Sequence, residues 1–156
     1  VLRQGAAGYG LLTGAMALGA IVATLIAALL VGRMDEGRLS GLATVLFGLL
    51  VVSLGFVRAL EWGLLAMTLI GLTAELVSVY TSSILQRTLP SDVLGRAFAA
   101  QFTALRIVPA VVFLSAGSVL QTFGVQTFLI VGGSITVLIA ALLLQLRVRG
   151  AREKNR

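Results

Sequence analysis

Five apolar runs of about membrane-spanning length, at 8–31, 40–57, 62–85, 97–120 and 125–146, take up most of this sequence and leave only short turns between them. A hydrocarbon core about 30 Å thick is crossed by roughly 20 apolar residues of helix. Lipid offers no hydrogen-bond partners, so each run must satisfy its own backbone, and none shows the alternating polarity of a barrel strand. The expected fold is an all-α membrane protein, five transmembrane helices in one bundle with a basic tail at 147–156. The composition agrees, with 58% hydrophobic residues against 12% charged. No charged region or cleavage site precedes the first run and four more spans follow it, which argues against a cleaved signal peptide.

If the runs alternate across the bilayer, Arg33, Arg38, Arg87, Arg96, Arg147, Arg149, Arg152, Lys154 and Arg156 fall on one side, and only Arg3 and Arg58 on the other. Basic residues collect on the cytoplasmic side, so the N-terminus is expected outside and the C-terminus in the cytoplasm. The net charge of +6 is accordingly read as topology-setting charge in contact with the lipid bilayer, and no nucleic acid is expected as a partner. An odd number of spans, an outside N-terminus and an initial Val predict further sequence upstream.

The chain has no cysteine and no histidine, which removes disulfides, thiol and imidazole chemistry and soft-metal sites together. No metal or cofactor is expected. An enzyme is not expected either, because the densest acidic site is only Asp35 beside Glu36. No glycine-rich phosphate loop follows a strand, so nothing points to ATP as a direct energy source.

Small residues at Ala15, Gly19, Ala23 and Ala27 recur every fourth position of the first run, a spacing that lets another helix backbone come close. The second and fifth runs carry no charge at their centres and read as lipid-facing scaffold, with Tyr9 and Trp62 as interfacial anchors. The third and fourth differ. Thr68, Gly71, Glu75, Ser78 and Ser82 recur at steps of three and four, forming a polar stripe that Gln86 continues. On the fourth run Arg106 follows Thr103 and Ala99 on one face, with Gln101 to the side, and Pro109 predicts a kink just beyond.

Glu75 lies 12 residues before Arg87, and Arg106 lies 10 after Arg96, so both fall about 15 to 18 Å from the same membrane boundary. A lone charge near the midplane costs at least about 2.5 to 3.5 kcal/mol. Opposite charges at matching depth can offset each other, directly or across a hydrated cavity. Two readings follow. Glu75, Arg106, Gln101, Thr68, Ser78 and Ser82 line a pathway for a solute or ion, or a Glu75–Arg106 ion pair locks two helices of a non-transporting scaffold.

The turn between the third and fourth runs reads QRTLPSDVLGRAFA, from Gln86 to Ala99. With Gln86, Arg87, Pro90, Gly95 and Arg96 it resembles the loop between the tenth and eleventh helices of bacterial drug-efflux members of the major facilitator superfamily. The opening GYGLLTGAMALGA is similar to their eighth helix, and GRMDEGR partly resembles their cytoplasmic gating signature. There Gly32, Asp35, Gly37 and Arg38 match, but the segment is shorter and Glu36 stands where a basic residue is expected; a simple charged turn is the other reading. The resemblance implies helices eight to twelve of such a transporter in a bacterial cytoplasmic (inner) membrane, with an N-terminal half missing from this sequence. It implies an alternating-access efflux antiporter that exchanges a small drug-like or siderophore-like substrate for protons. Glu75 would then bind a cation or proton, and Arg106 would tune it or meet an anionic group.

Overall fold

The computed structural model describes residues 5–30, 32 and 35–153, the side chains of residues 5, 108, 109, 113, 115–122 and 147–153 excepted. Three helices come first: α1 (Gly5–Leu30), α2 (Glu36–Leu54) and α3 (Leu60–Thr88). The helical stretch Ser91–Glu153 breaks at Gly124, whose φ of 77° and ψ of 159° are open mainly to glycine. It is therefore two helices, α4 at 91–123 and α5 at 125–153. Compared with the apolar runs, α3 is longer at both ends, whereas α1 and α2 start earlier and stop sooner, at Leu30 and Leu54. Asp35 starts α2 four residues early by capping it, its Oδ1 accepting from the backbone N–H of Gly37 at 3.1 Å and of Arg38 at 3.2 Å.

Among the described residues four stretches are long and apolar enough to cross a membrane: Ala6–Leu30, Glu36–Leu54, Leu60–Thr88 and Phe123–Leu146. The fourth expected span, 97–120, is helical in its backbone, but side chains at 115–120 lie outside the described residues. The backbone keeps helical φ/ψ through Pro109 and leaves them at Gly124. The helix of α5 continues to Glu153, so the basic tail begins as its extension; its side chains lie outside the described residues.

The helices pack in the row α1, α3, α2, α5. α1 and α3 run the same way. Leu12 shares a cavity with Gly63 and Met67 near one end, and Gly32 abuts Arg87 at the other. Between those ends they cross where Gly19 lies on the backbone of Thr68 and Leu72, and Gly71 on the backbone of Met16. Lipid tails are as apolar as leucine, so close backbone approach at small residues is what draws such helices together. The face predicted for α1 is the buried one: Ala15, Gly19, Ala23 and Ala27 are all covered, the last two almost completely.

α2 and α5 run antiparallel in a register of sevens. Gly41, Gly48 and Gly55 of α2 lie against Leu144, Val137 and Ile130 of α5, and a methyl group added at Gly48 would come within 2.7 Å of Val137 Cγ2. A seven-residue repeat keeps two helices in contact along their length at a shallow crossing angle. α2 has its glycines on α5 and packs on α3 at another side, while Leu42, Leu46 and Leu49 stay exposed, so most of its surface is left outward as expected. α5 does keep an apolar exposed face, including Leu138, Leu142 and Leu146.

Among the described residues the whole stretch Ser91–Glu153 meets α3 only slightly and α1 not at all, and on α4 Phe102, Leu105, Ile107 and Leu114 are exposed.

Candidate functional site

Three places carry the polar groups of the bundle, and the best built is the turn between α1 and α2. Gly32 takes a φ of 82°, a conformation that a Cβ would strain, and its backbone N–H donates to Glu36 Oε1 at 2.9 Å. The same Oε1 meets Arg87 Nη2 at 3.4 Å, and the Glu36 side chain is only 7% exposed. Asp35, outside this core, caps α2 and holds Arg38 Nε at 3.2 Å on an exposed surface. One carboxylate thus joins the turn to the far end of α3, linking the Gly32–Arg38 motif to the first arginine of the Gln86–Arg96 motif. Tyr80, the largest fully buried side chain among the described residues, lies within electrostatic reach of Glu36.

The two partners of this bridge are unequal. Glu36 is buried and needs Arg87, whereas Arg87, with 59% of its side chain exposed, can turn to water. Removing one partner of a buried contact leaves the other with its desolvation cost. Arg87→Gln is expected to lower unfolding stability by about 1–3 kcal/mol, and Glu36→Gln by under about 1 kcal/mol, since the amide oxygen can still accept from Gly32. Thermal or denaturant unfolding of the purified variants measures both, and equal losses would mean that the bridge does not act through the burial of Glu36.

The rest of the loop motif is exposed. Gln86, Pro90, Gly95 and Arg96 all face outward, and a Cβ at Gly95 would meet nothing within 4 Å. The Pro90 carbonyl accepts from the N–H groups of Val93 and Leu94 at 3.2 and 3.1 Å, which starts α4.

The second place is the polar stripe of α3. Gly71 belongs to it and packs on Met16, so Thr68, Glu75, Ser78 and Ser82 share the face that turns toward α1. Thr68 donates to the Leu64 carbonyl at 2.9 Å and is satisfied within its own helix. Glu75, Ser78 and Ser82 are half-buried and have no partner among the described residues.

The third place is α4. Arg106 is exposed, and Gln101 is half-buried with its Oε1 covered and unpartnered. Among the described residues no ion pair joins Glu75 to Arg106. The stripe turns toward α1, and the stretch Ser91–Glu153 meets α3 only slightly. A cavity of about 340 Å³ does open among α1, α2, α3 and α5, but at the Arg58 end, lined by Leu12, Arg58, Met67 and Gln126. Met67 precedes Glu75 by two turns, about 12 Å along α3, so that cavity does not include the stripe.

Glu36, Thr73 and Tyr80 are the polar residues that the sequence alone left without a role. Their signal is a step of seven: Glu36 shares a face with buried Ala43, and Ala66, Thr73 and Tyr80 form one buried line along α3. The Thr73 hydroxyl is satisfied by the Leu69 carbonyl at 2.8 Å.

A family model described as transmembrane secretion effector matches the chain over residues 1–156. No curated protein and no solved structure matches it.

Proposed function

Because the chain belongs to the transmembrane secretion effector family of major facilitator transporters, we propose that it works in a secondary active transporter that exports a small drug-like or siderophore-like molecule in exchange for protons. Glu75 carries this reading. It is a carboxylate at mid-span, half-buried, without an ion-pair partner among the described residues, on a helix face shared with Thr68, Ser78 and Ser82. Such a group is costly in lipid unless it meets water, a cation or a proton. Neutralised by a proton it can pass from one hydrated side to the other; ionised it holds a cation in the pathway.

The distribution of arginines supports an outside N-terminus and a cytoplasmic C-terminus; the bacterial inner membrane is taken from the resemblance to drug-efflux transporters. In that orientation the Gly32–Glu36–Arg87 bridge closes the cytoplasmic ends of α1, α2 and α3, and Gly32, Asp35, Gly37 and Arg38 form a turn that must rearrange when the bundle rocks. The exposed face of α4 with Arg106 meets the other helices that complete the substrate cavity, in the N-terminal half of the transporter, with Gln101 to its side.

Proteoliposomes of the natural protein test this directly. An imposed pH gradient should drive a lipophilic cationic dye or a catecholate siderophore against its concentration gradient, and a protonophore should abolish that movement. Flux of these probes that ignores the pH gradient would end the proton-exchange reading.

A further inference from the structure

We propose that the groove between α2 and α3 at their Arg58 end binds one anionic phospholipid, with the phosphate on Arg58 and an acyl chain lying along the groove. The groove encloses about 490 Å³ and opens outward between the two helices. Arg58 and Trp62 stand at its mouth, and Leu50, Leu65 and Leu69 line its walls. From Trp62 to Leu69 is seven residues, so the apolar wall descends about 10 Å from the mouth toward the membrane interior. An indole favours the headgroup level of a bilayer, and Trp62 is 65% exposed there.

The charge at the mouth selects the ligand. Arg58 is exposed and makes no ion pair among the described residues. Glu61, the nearest acidic residue in sequence, lies about 100° round α3 from Trp62 and does not line the groove. A guanidinium fork offers paired donors to phosphate oxygens, and below it the walls offer only apolar contact apart from Ser53. A cation above a two-turn apolar trough complements a phosphodiester with a fatty chain. A soluble anion would leave the trough empty, and an uncharged lipid would leave Arg58 unmatched.

Trp62 is the only tryptophan, so tryptophan fluorescence reports on this one position at the mouth of the groove. The full chain is reconstituted in vesicles holding brominated phosphatidylglycerol or brominated phosphatidylcholine, and quenching of Trp62 is measured. The anionic lipid is expected to quench with about fivefold higher relative affinity, the factor one basic residue contributes at an anionic surface. That preference should shrink as salt is raised, disappear in Arg58→Gln and survive in Arg58→Lys. Equal quenching by the two lipids in the unaltered protein overturns the proposal without recourse to any variant. So does a preference that persists in a folded Arg58→Gln protein, or displacement of the quenching lipid by soluble glycerol phosphate at equal potency.

Discussion

Glu75→Gln is expected to reduce proton-driven export at least tenfold while the amount of protein in the membrane stays the same or rises. The amide has nearly the shape of the carboxyl group, so the packing of α3 on α1 is preserved, but it can neither hold a charge nor release a proton. An ionised group near the midplane works against insertion by at least about 2.5 kcal/mol. Stability and transport should therefore move in opposite directions, which a residue of purely structural use would not produce. Glu75→Asp keeps the charge on a shorter arm and should retain part of the activity. Export assays at matched expression, together with thermal unfolding of the purified variants, provide both readouts. Unchanged coupled export by Glu75→Gln would remove this residue from the mechanism.

The second large effect belongs to the crossing of α1 and α3. Gly71→Ala is expected to cost about 3 kcal/mol or more, and Gly71→Leu to prevent assembly, because the new Cβ would run into the Met16 carbonyl. Backbone cannot swing aside as a long side chain can, so the helices themselves must part. The same substitution at Gly10 or Gly14 meets nothing within 4 Å. There alanine should be neutral or stabilising by up to about 1 kcal/mol, since it removes the flexibility of glycine from a helix interior. Melting of the four proteins in one detergent makes the comparison, and a Gly71→Ala protein that melts with the unaltered chain would refute the tight crossing. The polar stripe depends on this contact, since Gly71 is its second member and sets the face on which Glu75 lies.

The pairing of Glu75 with Arg106 shows where reading a sequence along one dimension stops. Matching depth is a one-dimensional quantity, obtained by counting residues from the nearest turn, and for both groups the count puts them at mid-span. Whether two helices at equal depth face each other depends on which neighbours each one takes. α3 is held between α1 and α2, and its glycine turns the stripe toward α1. The case of Glu36 is similar. Two adjacent carboxylates look alike in sequence, yet Asp35 becomes the exposed cap, and Glu36, one step later and in phase with Ala43, turns inward to Gly32 and Arg87.

What the chain's own residues determined is everything governed by lipid and by helix periodicity: helical spans, their approximate ends, and the small-residue face of α1. Those follow because a backbone in hydrocarbon must bond within its own segment, and because side chains repeat at a set angle about a helix axis. The order α1, α3, α2, α5, the sevenfold register of α2 on α5 and the burial of Glu36 were decided only in three dimensions. All helices here are similarly apolar, so burial alone does not choose among partners. Backbone-to-backbone fit at a few glycines does, and that fit exists only once two helices are laid together.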